Sequence, residues 1–191
     1  MSTKQIFYLA SSSPRRRDIL KKMRIPFQVV RTLYHEKKIP NAPPEKLVMW
    51  HAASKARKAV IPRGVRFVIG ADTVVVYKGE ILGKPRNQKD AIRMLNMLSG
   101  DHHYVFTGMS IIDHQTHDIL TGCAITKVHF KKLSDKAILD YFKKVNPLDK
   151  AGAYAIQEGP KIVRKIEGSY SNVVGFPVEL FRKMMKDIKK S

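Results

Sequence analysis

The sequence predicts an α/β fold, a mixed β-sheet flanked by helices, and three observations carry that reading. Segments with strand patterning alternate with segments of helical spacing along the chain. Two long β-rich runs, 104–113 and 118–131, are joined by only His114-Gln115-Thr116-His117, so at least one strand pair is antiparallel. Finally, 43% of the 191 residues are hydrophobic, enough to bury a core. No repeat, low-complexity tract or linker divides the chain, so residues 1–191 are expected to form one domain.

Residues 5–10, Gln-Ile-Phe-Tyr-Leu-Ala, read as a buried strand running into a serine turn. A helix follows over 14–23, with Pro14 at the first position, where a missing N–H does no harm. Residues 27–31 suit a second strand, and Pro40, Pro43 and Pro44 then break the chain before a helix over 45–60. Its apolar stripe runs through Val48, Ala52, Ala56 and Val60. The segment 66–77 is the most β-rich, and Lys78-Gly79-Glu80 reads as a hairpin turn. A helix over 89–98 stops at Ser99-Gly100, where glycine suits a left-handed cap. In the second long strand the apolar parity changes between Ile125 and Val128, which predicts a bulge or burial on both faces. Ser134 is placed to cap a helix reaching about 145, ended by Asn146-Pro147. Short strands in a glycine-rich region lead to a last helix over 178–189.

Thirty-six Lys+Arg against 16 Asp+Glu give a net charge of +20, so partners or substrates are expected to be anionic. Cys123 is the only cysteine, which excludes an internal disulfide, a cysteine zinc finger and a CxxC redox site. No run approaches the ~18–20 apolar residues of a membrane span, and the N-terminus lacks the long apolar stretch of a signal peptide. A cytoplasmic protein with no membrane partner is expected.

Two clusters stand out for chemistry. In Ser11-Ser12-Ser13-Pro14-Arg15-Arg16 a strand delivers the chain to a serine-capped helix start. Free N–H groups and the positive dipole end make such a start an anion site, and the hydroxyls of Ser11 and Ser13 with Arg15 and Arg16 would complete a phosphate cradle. The plain alternative is a capped helix with a solvated basic turn. In Gly70-Ala71-Asp72-Thr73 one acid lies between two valine- and isoleucine-rich runs. An unpaired carboxylate buried there would be costly, so a metal, a lysine partner, a catalytic role or simple backbone hydrogen bonds must account for it.

Gly79 to Pro85 is no P-loop: it is one residue short between its glycines, and Pro85 stands where a metal-binding hydroxyl belongs. Lys84, held extended by Pro85, can still reach a phosphate. Lys55, four residues after His51, has a snorkelling lysine as its plain alternative, and Glu36 lies among His35, Lys37 and Lys38. The pairs His102-His103 and His114/His117 lack metal geometry. The last helix carries Phe181, Met184, Met185 and Ile188 on one face and Arg182, Lys183, Lys186, Lys189 and Lys190 elsewhere, suiting packing on the domain more than a membrane surface.

Taken together, six ordered motifs resemble the Maf family of nucleoside triphosphate pyrophosphatases, the septum formation inhibitor homologues. The family's S-x-S-P-R-R stands at 11–16, G-A-D-T at 70–73, G-K-P at 83–85, L-S-G-x-x-H at 98–103, L-D-K-A-G-A-Y-x-I-Q at 148–157 and N-V-V-G-x-P at 172–177. The resemblance implies two lobes around a cleft and hydrolysis of a nucleoside triphosphate to the monophosphate and pyrophosphate, assisted by Mg²⁺ or Mn²⁺. It makes Asp72 the proton acceptor, and Arg15, Thr73 and Gln157 the specificity positions. It adds Lys55, Lys84 and the acid matched by Glu36 to the site, so that Glu36 and Asp72 are the candidate metal carboxylates; Leu33-Tyr34-His35 departs from the usual pattern. The 148–157 motif is similar to the branch acting on dTTP and UTP rather than the one acting on 7-methyl-GTP, with Ala155 in place of the commoner glycine. A homodimer is also implied. The rival is a non-catalytic, basic nucleic-acid-binding regulator of cell division. Its main support is the charge, yet the basic residues are spread along the chain and gather in no recognition motif, so no specific nucleic acid is expected.

Overall fold

The computed structural model describes residues 5–37 and 39–188; Lys38, Lys189 and Lys190, included in the sequence reading, lie outside them. The elements are β1 (Phe7–Leu9), α1 (Pro14–Lys22), β2 (Phe27–Val29), α2 (Pro44–Arg57), β3 (Phe67–Tyr77), β4 (Glu80–Leu82), α3 (Gln88–Leu98), β5 (His102–Asp113), β6 (Ile119–Phe130), α4 (Asp135–Phe142), β7 (Val163–Glu167), α5 (Tyr170–Val174) and α6 (Val178–Ile188). Seven strands form one sheet in the order β2-β1-β3-β5-β6-β7, with β4 also paired to β3. The β1 pairings are parallel and the others antiparallel, the mixed α/β sheet expected.

Alternation along β3 sends its side chains to two faces. On one face Val68 packs with Ala56 and Ile112, and Val74 and Val76 with Val48, beneath α2. α2 lies very close because the strands offer it glycines: a Cβ on Gly70 would sit 2.0 Å from the Ala52 carbonyl oxygen, and one on Gly108 2.3 Å from the Val48 backbone. On the other face Phe7, Leu9, Phe67, Ile69, Met109 and Ile111 pack against Leu20 of α1 and Phe181, Met184 and Ile188 of α6. Further along the same strands Val75, Val105 and Val128 join Leu95, Leu98, Ile138 and Tyr141 in a second core under α3 and α4. Two lobes thus share β3, β5 and β6.

Several boundaries differ from the sequence reading. α2 ends at Arg57, not near 60, because Ala59 bridges Thr32 and the Val60 N–H donates to the Arg31 carbonyl. Gly100 takes the left-handed conformation (φ +75°), as expected after α3. The bulge expected between Ile125 and Val128 is absent: β5 and β6 stay in register from His102↔His129 to Ile112↔Ile119, and the irregularity lies instead at His129/Phe130 against β7. Burial on both faces is absent too, since Ile119 and Ile125 are exposed. The parity change marks apolar residues left in solvent.

The topology leaves one gap. β1 pairs with β3 over Phe67–Ile69 and β4 over Val75–Tyr77, so residues 70–74 of that edge face neither strand. Chain leaving β1 turns there into α1.

Candidate active site

That gap opens on a cavity of about 550 Å³, lined by Ser11 to Arg16, Glu36, Lys55, Asp72, Thr73, Lys84 and Gln157 among others. Every site residue drawn from the sequence therefore reaches one cleft. α1 presents its N-terminus to it. Ser13 stands at the cap with extended backbone, yet its hydroxyl makes no cap bond, and the Ser13 N–H donates to Ser11 Oγ at 3.3 Å.

Asp72 comes from the gap in β3 and is 7% exposed. Lys55, one turn below His51 on α2, answers its charge: Nζ donates to Asp72 Oδ1 at 2.6 Å and lies 2.6 Å from Glu36 Oε1. Two carboxylates thus converge on one cationic position. Burial pushes the Glu36 carboxyl up, but the charge and hydrogen bond of Lys55, with Lys84 and His51 behind them, hold it below its ordinary value. The loop bearing Glu36 is tied to α2 by Tyr34 Oη and His51 Nδ1 at 2.8 Å and by Thr32 Oγ1, which donates to the Lys55 carbonyl.

Arg15 and Arg16 diverge. Arg16 is buried and braces the site: Nε donates to the Gly175 carbonyl at 2.8 Å, Nη1 to Ser11 Oγ at 2.9 Å and Nη2 to Thr73 Oγ1 at 3.1 Å. Burial lowers its pKa, against the pull of Asp72. Thr73 Oγ1 also bonds Thr107 Oγ1 at 3.0 Å, so the threonine after the acid is fixed from both sides. Arg15 reaches across to the second lobe, donating to Asp149 Oδ2 at 2.9 Å and to the Asp149 carbonyl at 3.1 Å. Beside it Lys150 contacts Asp149 and Glu158, and Gln157 Nε2 donates to Glu158 Oε1. Ala155 is anchored by the Tyr141 hydroxyl, which donates to its carbonyl and accepts its N–H; burial pushes that phenol up to about 12.

Sequence reasoning singled out neither Asp149, Lys150 and Glu158 nor the Tyr34–His51 pair. The 148–157 motif held the first two, but nothing local to it points at Arg15.

A family model described as Maf-like protein matches residues 6–188. The chain belongs to the Maf family. Curated relatives within reach of it carry the name dTTP/UTP pyrophosphatase. That of Geotalea uraniireducens (strain Rf4) is 47% identical over 179 residues, covering 93% of this chain and 92% of its own. That of Citrifermentans bemidjiense is 49% identical over 171 residues, 89% of each. That of Caldicellulosiruptor saccharolyticus is 43% identical over 185 residues, 94% of this chain and 93% of its own. Among solved structures, the Staphylococcus aureus Ham1 protein is similar with a TM-score of 0.50 at 12% identity, over 96% of this chain and 99% of that one. At that identity the likeness between this Maf-family chain and Ham1 is one of fold.

Proposed function

We propose that this chain is a nucleoside triphosphate pyrophosphatase acting on dTTP, UTP or modified pyrimidine triphosphates, releasing the monophosphate and pyrophosphate. The observation that carries the reading is the cavity in which the Asp72–Lys55–Glu36 cluster faces the α1 N-terminus, in a chain 43–49% identical to proteins named dTTP/UTP pyrophosphatase.

A triphosphate brings about four negative charges, which Lys55, Lys84 and the helix start are placed to neutralise and orient, while Arg15 points toward Asp149 of the second lobe. Arg16 keeps Ser11 and Thr73 in position beneath the triphosphate. Asp72 takes the proton of a water that attacks the α-phosphorus in line; the new P–O bond forms as the bond to the departing pyrophosphate breaks. Lys55 holds Asp72 in place for that transfer. Glu36 and Asp72, whose carboxylates converge beside Lys55, would hold Mg²⁺ or Mn²⁺ through the oxygens that Lys55 does not engage, and the bound ion would supply positive charge to the phosphates. Among the described residues no three His, Cys, Asp or Glu side chains group for a metal, so phosphate oxygens would complete the set.

Incubating the protein with nucleoside triphosphates and Mg²⁺ should yield monophosphate and pyrophosphate; orthophosphate instead would reject the bond of attack. Asp72→Asn should lower kcat by about 10²- to 10⁴-fold, and full activity in that variant would reject the base. The reading includes a cytoplasmic homodimer. The support for the dimer is the β6 edge over 119–125, which β7 does not cover and on which Ile119 and Ile125 are exposed. Among the described residues no helix is long and apolar enough to cross a membrane.

A further inference from the structure

Gln157 lines the cavity, and an amide carries donors on one fork and an acceptor on the other. Which fork faces a ligand decides what the ligand must offer. Here Gln157 Nε2 donates to Glu158 Oε1 at 3.1 Å. An ionised carboxylate only accepts, so turning the amide over would set two oxygens against each other. Glu158 is itself held. Its Oε2 lies 3.1 Å from Lys150 Nζ, and Lys150, 5% exposed, also donates to the Asn146 carbonyl and Asp149 Oδ1. Glu158 Oε1 also stands 3.8 Å from Arg15 Nη1, so one oxygen sits between the side chains of Gln157 and Arg15.

We propose that Glu158 is a positioning residue for base selection: it fixes the Gln157 amide so that its carbonyl oxygen is offered to the ligand beside the guanidinium donors of Arg15. An acceptor next to donors complements an imide, a ring N–H flanked by carbonyl oxygens, as in uracil and thymine. Cytosine presents a bare ring nitrogen where the N–H is needed and an amino group where a carbonyl is needed. It would leave the Gln157 oxygen facing a lone pair and Arg15 facing a donor, and sites built to hydrogen-bond reject analogues that leave their polar groups unpaired. The inference rests on the proposed pyrophosphatase function and goes beyond it, naming the residue that orients the discriminating amide.

The experiment compares kcat/KM for UTP and CTP in the wild type, Glu158→Ala and Glu158→Gln. Glu158 is 36% exposed in its side chain, so both variants should fold, which thermal melts check. The wild type should prefer UTP. Glu158→Ala frees the amide to turn its NH₂ toward cytosine, and the UTP:CTP ratio should fall by about tenfold or more. Glu158→Gln has a single oxygen for two donors, Gln157 Nε2 and Lys150 Nζ; with that oxygen on Lys150 its NH₂ faces Gln157, so the ratio should fall in this variant too. A merely structural role would depress both substrates together. An unchanged ratio in Glu158→Ala, or a wild type that takes UTP and CTP equally, overturns this inference alone. A wild type that hydrolyses neither nucleotide overturns the pyrophosphatase reading itself.

Discussion

Glu36 and Asp72 each lie 2.6 Å from the Lys55 ammonium nitrogen, and for Glu36 the dependence of its charge state on that nitrogen can be measured. Burial is the largest influence on Glu36 and raises its pKa; Lys55 supplies most of what overrides it. Because the folded value lies below the ordinary 4.5, the interaction is fully present above that pH and is lost as pH falls through the lowered value. Lys55→Met should therefore move the Glu36 carboxyl titration, read by NMR, to higher pH; an unmoved titration would contradict the assignment. His103 behaves in the opposite chemical sense. Buried against Phe130, with Nε2 and Tyr154 Oη at 2.8 Å, it is pushed from 6.5 down to about 3 by desolvation, with His102 and His129 adding to the effect. Unfolding lets it take a proton below 6.5, so stability falls with pH across that window, approaching ~1.4 kcal/mol per pH unit. Urea titrations between roughly pH 6 and 5, above most carboxylate titration, should show a flatter slope in His103→Gln than in wild type. Asp72 was legible in the sequence because a lone acid in an apolar strand must be accounted for. Asp149 was not, since Arg15 and Asp149 meet across 134 residues of chain and no local pattern announces such a meeting.

At the scale of elements, function rests on how closely α2 lies on the sheet. The Lys55–Asp72 bond requires the helix backbone to touch β3, and Gly70 and Gly108 permit that contact. The atoms that an added methyl would meet are backbone atoms of Ala52, Ala56 and Val48, which no rotamer change can move aside. Gly70→Ala and Gly108→Ala should each lower unfolding free energy by about 1–3 kcal/mol in urea titration and reduce activity by lifting Lys55 from Asp72. Stability equal to wild type in both would show that the helix sits further out. The helices and long strands were readable because side-chain period and cap residues are local: Ser134 accepts from the Ala137 N–H where a cap was expected. Their ends and edges were less so. Helix α2 stops early because Ala59 and Val60 pair with Thr32 and Arg31, residues from another part of the chain. The parity change after Ile125 suggested a bulge or a doubly buried strand only because parity cannot tell a covered face from one left open.

The net charge of +20 marked the whole molecule as a partner for anions, and Arg15, Arg16, Lys55, Lys84 and Lys150 line the one cleft described here. The cleft lies between two cores, which raises the question of whether the lobes fold separately. Their strands argue against it. β3, β5 and β6 each run from the core under α1 and α6 into the core under α3 and α4, so that Ile69 and Val75 are packed in different lobes by one strand. Losing the packing of either lobe would strip apolar cover from strands that the other needs in register. Ion pairs across the cleft, Arg15 to Asp149 above all, add to the coupling, though partly exposed pairs contribute little. Urea unfolding should then be a single transition. Trp50, the only tryptophan, reports on α2 by fluorescence, while the amide signals of Leu95 and Ile138 report on the second core. Their midpoints should coincide; a second-core loss at distinctly lower urea would show that the lobes are separable units and that cleft geometry can be lost while the first core stands.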